Sequence, residues 1–400
     1  MSQYKKVDKT ILAKQNKRNV LSCIARKGPI NRAAIAKQTN LSIPAVMAIT
    51  EELIALGLVR SQGKGESTGG KRPELLSIAP DYSFSIGVDV GRSTLRVIVA
   101  NFGGEMIYSV QEPTGEVLPE SRLIHQIVLL VKQAIIGAGI HPSKVSGVGV
   151  AMPGLIEQQT GRVLLSPDFG WDNVPLHRQL CDALPYEIVV ENANRVRAIA
   201  ENMTKWEEGH TKHFCINLGH GIGGALVYDG KPFYGSSGTS GEIGHITVDK
   251  DGPLCACGNS GCLESMASGD AIARQARNAL LGGVSSILSE EYRDNLSALD
   301  AKAVFEAAKA GDGMAANIVG RATEFIAIGI AAVVNLLDPD VVTLFGGLTQ
   351  NGPYFTVPLL EAVKRRQMKQ AGRHVVFEVS DFGELGTAVG AAWMISVAGG

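Results

Sequence analysis

Hydrophobic positions follow two rhythms along this chain, and the change falls near residue 80. Before it, apolar residues recur at helical spacing. Ile11 to Ala25 reads as a helix carrying Ile11, Val20, Leu21 and Ile24, and Gly28-Pro29 stops it. Asn31 is placed to cap a short second helix, Arg32 to Gln38, which turns Ala33, Ala34 and Ile35 inward. Thr39-Asn40-Leu41 makes a tight turn. Ser42 then caps a third helix whose first turn tolerates Pro44, because the early amides need no intrahelical partner. In that helix Val46, Ile49, Leu53 and Leu56 form one apolar stripe. Leu58-Val59 and Leu75 to Ile78 predict two strands around the tip SQGKGESTGGKRPE. Three helices followed by such a hairpin spell a winged helix-turn-helix, although Gly, Ser and Thr also suit a plain linker.

After residue 80 the rhythm is that of strands separated by glycine turns. Residues 84–91, 95–102 and 105–111 predict three strands, followed by a helix around 120–137 and strands at 145–152 and 186–192. The scheme recurs with strands at 213–219 and 222–230, helices across 268–337 and strands at 340–347 and 374–380. A last helix spans 385–397. Two successive β-β-β-α-β units predict a duplicated α/β domain with a cleft between its lobes. Turns at Asp89-Val90-Gly91 and at Gly219 to Gly224 follow strands, where backbone amides can cradle phosphate or hydroxyl groups.

Charge sharpens the division. Residues 1–80 hold 14 Lys/Arg and 5 Asp/Glu, a balance of +9, whereas the other 320 residues hold 24 and 34, a balance of −10. A basic head on an acidic body suggests a polyanion-binding module, against the alternative of a merely solvated basic surface. With the stripe turned inward, Pro44, Met47, Ala48 and Glu51 face out. None is an Arg, Asn or Gln suited to bidentate base contact, so apolar contact, wing and shape must carry the readout. The candidate DNA-facing set is Arg32, Ser42, Pro44, Ala45, Met47, Ala48, Lys64, Lys71 and Arg72.

Composition excludes more than it assigns. At 45% hydrophobic and 19% charged, 400 residues bury a sizeable core. The longest apolar run, Phe325 to Leu337, is shorter than the ~20 residues of a membrane span. The opening residues carry no secretory apolar stretch, and six cysteines do not make a disulfide scaffold, so the expected location is the cytoplasm. Three cysteines fall within eight residues, however. His245, Cys255, Cys257 and Cys262 supply the Cys₃His set of a structural zinc site, which outweighs three incidental thiols; Cys23, Cys181 and Cys215 read as core residues. Glu242 and Glu264 flank this loop, either as partners for sugar hydroxyls or as solvated surface.

Taken together, DVGRST (89–94), AMPG (151–154), SPDFGWDNVPL (166–176), ENAN (191–194), NLGHGIGGALVYDGK (217–231), GEIGH (241–245) and CACGNSGCLE (255–264) resemble the ROK family of repressors, open reading frames and kinases. The resemblance covers essentially the whole chain. It implies an actin-like, two-lobed sugar-kinase fold in which Asn192, Glu242, His245 and Glu264 contact a sugar, with Asp168 and the Gly154 turn beside it. It also implies that His245 serves both zinc and sugar. The winged head is similar to that of the family's regulators of xylose, N-acetylglucosamine and glucose-transport genes.

Three departures from the family pattern bear on activity. The general base of the kinases is replaced by Ala193, a loss that typically costs ~10²–10⁴-fold. Arg92 stands at the second glycine of the first phosphate turn, and His220 and Ala225 depart from the second. The sequence thus reads as a sugar-responsive regulator, most simply a repressor, and not an enzyme. The alternatives are an ATP-dependent hexose kinase carrying a DNA-binding domain and a regulator controlled by a protein partner. The expected division is a DNA-binding domain over 1–80, a first lobe over 81–194 plus 384–400, and a second over 195–383 with the zinc loop and dimerisation helices. Expected partners are an operator duplex, a monosaccharide or derivative and further copies of the chain as dimer or tetramer, with no membrane.

Overall fold

The computed structural model describes residues 9–65, 72–115, 119–205, 209–370 and 374–396. Lys71 and the rest of residues 66–71, the middle of the predicted wing tip, lie outside them. The head consists of α1 (Lys9–Lys27), β1 (Ile30–Asn31), α2 (Arg32–Thr39), α3 (Ile43–Ala55), β2 (Val59–Lys64) and β3 (Glu74–Ile78), its sheet ordered β1-β3-β2. Both predicted caps form: Asn31 accepts from the Ala34 amide at 2.9 Å and Ser42 from the Ala45 amide at 3.4 Å. Val20, Ile24, Ile35, Val46, Leu53 and Leu76 make the core.

Three head positions depart from expectation. Leu56 is 50% exposed, because α3 ends there and Gly57, at φ +76°, turns the chain so that the Leu58 amide binds the Leu53 carbonyl and Val59 enters the core instead. Thr50 is the buried residue on that face. Ala33 points to solvent while Ala36 packs inward, a shift of the α2 face by one residue, about 100°. β1 pairs with β3 through only two residues, too short a strand to leave a pattern.

The body repeats one topology. Its first half has β4 (Phe84–Val90), β5 (Thr94–Asn101), β6 (Met106–Pro113), α4 (Glu120–Gly137), β7 (Val145–Met152), β8 (Leu155–Glu157), β9 (Arg162–Ser166), β10 (Trp171–Val174), α5 (Leu176–Ala183), β11 (Glu187–Asn192) and α6 (Ala193–Lys205). The second half has β12 (Lys212–Leu218), β13 (Ile222–Tyr228), β14 (Lys231–Pro232), α7 (Leu263–Ala267), α8 (Gly269–Leu281), α9 (Leu288–Glu291), α10 (Ala301–Lys309), α11 (Gly313–Leu337), β15 (Val341–Phe345), α12 (Pro353–Arg366), β16 (Val376–Val379) and α13 (Gly386–Ile395). The sheets run β11-β7-β4-β5-β6 and β14-β13-β12-β15-β16. In each, the first strand pairs antiparallel with the second and parallel with the fourth.

Each sheet has its own apolar core, one built against α4 and α5, the other against α7 to α12. Between the lobes, α13 lies on β4 and β7 and against α6. A Cβ at Gly87 would fall 1.8 Å from the Ala388 carbonyl oxygen and one at Gly149 1.9 Å from that of Ala391, so this close approach requires glycine in both strands. Helix α11 extends beyond the apolar run noted in the sequence and is, by length and hydropathy alone, sufficient to cross a membrane. It is a core helix here, with Ile318, Ala322, Ile326, Ile330 and Val334 buried against α10 and α12.

Candidate functional site

The polar residues singled out in the sequence stand at strand ends of the two halves and in the turns and short helices that follow them. Asn192 ends β11 and is 6% exposed. Its amide nitrogen donates to the Gly154 carbonyl at 2.8 Å, and its side-chain oxygen accepts from the Asn194 and Arg195 amides at 3.0 and 3.1 Å, capping α6. Gly154 has φ +115°, and a Cβ there would meet the Leu165 carbonyl. Across the cleft, Glu264 accepts from the Ile222 amide at 3.0 Å and packs against Gly221. Glu242 precedes the turn Ile243–His245, whose Gly244 lies so near the Ile222 carbonyl that a side chain would collide with it. Burial holds the Glu242 carboxyl above its ordinary value; Glu264 adds to that push, and His245 and Arg195 oppose it. Asp168 stands on a one-turn helix between β9 and β10, exposed at the rim. Desolvation raises its carboxyl, with Arg92 pulling the other way.

Three residues that sequence reasoning missed hold this end together. Glu191 and Arg195 form an ion pair of 2.8 Å, with side chains 8% and 2% exposed. The Arg195 guanidinium also donates to the Gly238 carbonyl at 2.9 Å and lies 5.2 Å from the centre of the Tyr234 ring. Their signal, an acidic residue four before an arginine, is too common to single out.

His245, Cys255, Cys257 and Cys262 come together as expected: their ligand atoms all lie within 4.8 Å of one another. Cys255 Sγ is 3.7 Å from His245 Nδ1, and Cys257 and Cys262 sulfurs are 3.6 Å apart. Donors ~2.3 Å from a tetrahedral centre stand about 3.8 Å apart, so these spacings suit a single metal ion. The loop is pinned by pairing of Thr247 with Cys262 and of Leu254 with Ser260. Among the other cysteines, Cys215 is buried and Cys23 half-buried, but Cys181 is exposed on α5, not in the core, because its face of the helix looks outward beside His177.

At the opposite end of the cleft, the two glycine turns carry side chains that meet. Arg92 Nη1 donates to Asp270 Oδ2 at 2.6 Å, and the other carboxylate oxygen lies 3.1 Å from His220 Nδ1. Asp270 was not foreseen; its partner lies 178 residues away. Beyond this trio opens a cavity of about 1100 Å³ between α8, α10 and the turn at Gly347. Asn192, Glu242 and Glu264 do not line it. At the position of the expected base, the Ala193 side chain packs beside Ala151, Val196 and Ala391.

In the head, Pro44, Met47 and Ala48 are exposed on α3, as are Ser42 before it, Lys64 at the end of β2 and Arg72 just before β3; Ala45 is half-buried. Arg32 is different. Its Nε donates to Thr50 Oγ1 at 2.9 Å and its Nη1 to Glu74 at 2.5 Å, which holds the Glu74 carboxyl below the usual range. This side chain joins α2, α3 and β3 and so fixes the wing against the third helix.

The ROK family profile matches residues 85–397, and that of the winged helix-turn-helix DNA-binding fold matches residues 14–60. The chain belongs to the ROK family. Within it, the chain is 30% identical over 397 residues to the xylose repressor of Caldicellulosiruptor bescii, covering 96% of each chain. It is 31% identical over 279 residues to the glucokinase of Thermotoga maritima, covering 70% of this chain and 86% of that one. A solved ROK family transcriptional regulator, a homologue of the E. coli MLC protein, has the same fold, with a TM-score of 0.81, 24% identity and coverage of 97% and 96%.

Proposed function

We propose that this ROK protein is a sugar-responsive, DNA-binding transcriptional repressor of carbohydrate-metabolism genes that does not phosphorylate its ligand. One observation carries the reading. A winged head is joined to a cleft in which Asn192, Glu264 and the Gly154 turn are held ready for hydroxyl groups, while Ala193 offers a methyl group where proton abstraction needs a base. The likeness to xylose repressors along nearly the whole chain supports it. The sugar-facing set is Gly154, Asp168, Asn192, Glu242, His245 and Glu264. The DNA-facing set keeps Ser42, Pro44, Ala45, Met47, Ala48, Lys64, Lys71 and Arg72, with Arg32 placing the wing.

Zinc fits the Cys₃His donors, and once bound it supplies a fixed cross-link beside Glu242 and Glu264. The division assigned is a head over 1–80, a first lobe over 81–194 plus 384–400, and a second over 195–383. The protein works in the cytoplasm, clear of the membrane, as a dimer or tetramer presenting two recognition helices about one DNA turn apart. A bound monosaccharide acts by preferring one lobe spacing over another.

The test is fluorescence anisotropy with duplexes from the regions flanking its own gene, with and without a panel of monosaccharides and their phosphates, alongside a coupled ATP assay. Sugar-dependent release of a specific duplex without turnover is expected. Robust phosphorylation would establish the kinase reading instead, and sugar-indifferent DNA binding would favour control by a protein partner.

A further inference from the structure

The contact between Arg92 and Asp270 joins the two lobes. Arg92 follows β4 of the first sheet, and Asp270 sits in the first turn of α8, which packs on α7, α10 and α11 of the second half. The acceptor side is rigid. The Gly269 amide donates to the Gly219 carbonyl at 2.8 Å and the Asp270 amide to the His220 carbonyl at 3.1 Å, so the turn and the helix start form one piece. His220 holds one carboxylate oxygen, which leaves the other aimed at Arg92. Both partners lower the Asp270 carboxyl, His220 most, and Arg92 is held above its ordinary value by Asp270 first. Asp168, in the first half, also feels the Arg92 charge, which lowers its carboxyl against the push of burial. His220 adjoins Gly221, against which Glu264 packs, so the contact is continuous with the sugar-facing residues of the second lobe.

We propose that Arg92 and Asp270 are positioning residues of the effector cleft, a latch that holds the lobes at the spacing where Asp168 and Asn192 face the same ligand as Glu242 and Glu264. The role rests on the sugar-responsive reading above. At 51% and 47% exposure the pair is weak enough to open. Such pairs bias a two-state equilibrium by about two- to five-fold. That is a useful strength for a latch, since the ligand must be able to add its own preference on top.

The experiment uses the full-length zinc-loaded protein and the variants Arg92→Ala, Asp270→Ala, the double variant and Arg92→Lys. Amide hydrogen exchange at residues 91–94 and 219–222 reports opening without ligand, and calorimetry with D-xylose and D-glucose reports affinity. Each single alanine variant is expected to speed exchange and weaken sugar binding by about two- to five-fold. The double variant should be no worse than either single one, and Arg92→Lys should recover part of the loss. Unchanged exchange in the single variants, or losses that add in the double, overturn the latch. If the wild-type chain binds no member of the wider panel of monosaccharides and their phosphates, the effector reading fails on its own, and exchange alone still decides whether the pair holds the lobes.

Discussion

At one end of the cleft, Asn192, Glu264 and the Gly154 turn are fastened to backbone groups; at the other, Arg92, Asp270 and His220 are fastened to one another. The first arrangement spends only part of each group's hydrogen-bonding capacity on the scaffold and keeps the rest in place for a visitor. The second uses its charges internally. A carboxylate already sits where an incoming anion would seek Arg92 and His220. Orientation alone thus distinguishes a surface ready for a ligand from one that has satisfied itself, although both carry similar residue types.

Removing the metal donors should produce the largest effect at the first end. Cys257→Ser with Cys262→Ser is expected to lose bound zinc altogether, lower the melting temperature and abolish the sugar response, because structural zinc binding is worth ~10–16 kcal/mol in small domains. Metal analysis and calorimetry check this, and a metal-free variant with a normal response would remove the loop from the comparison. The next effect belongs to the second end. Asp89 is buried near Arg96, and burial raises its carboxyl to about 6. The folded state then binds a proton more tightly than the unfolded chain between about pH 4 and 6, so this group's contribution to stability is greatest below that window and falls as pH rises through it. The shift corresponds to about 3 kcal/mol. Asp89→Asn should abolish that fall, seen as a stability difference from wild type that grows from pH 4 to 7 in urea titrations.

Smaller changes are expected from Asn192→Ala, which loses the α6 cap and the bond to Gly154. About 1 kcal/mol of stability should go with it, and sugar affinity should drop at least about tenfold while DNA binding persists. The smallest effect is a predicted silence. Ala193→Asp restores a carboxylate at the kinase position, yet turnover with ATP should stay at background, because the second end remains occupied by its own charges. Measurable phosphorylation by that variant alone would erase the contrast between the two ends.

Much of this was legible before the structure. Strand β7 falls on the predicted residues because its apolar run is buried on both faces, and the metal donors declare themselves because they lie within one short loop. Helix α6 was missed for a physical reason. Its inward face carries Arg195 and Arg197, which read as surface residues, and only their pairing with Glu191 and Glu201 makes that burial tolerable. Helix α12 was hidden by Pro353 and Pro358, one in its first turn and one inside it. The small sheet β8 to β10 that carries Asp168 is made of strands too short to show a period. The Arg92 contact was beyond reach because no local pattern links a turn to a helix start so far along the chain.

Phe102, in the turn between β5 and β6, is 7% exposed and packs within the apolar centre of the head, with Tyr82 5.1 Å away ring to ring. The head is therefore geared to the first sheet through a shared side chain. A rotation of that sheet would turn the head with it, as a key shank turns its bit. Truncating this aromatic ring should disengage the gear while leaving both the sugar grip and the helices intact.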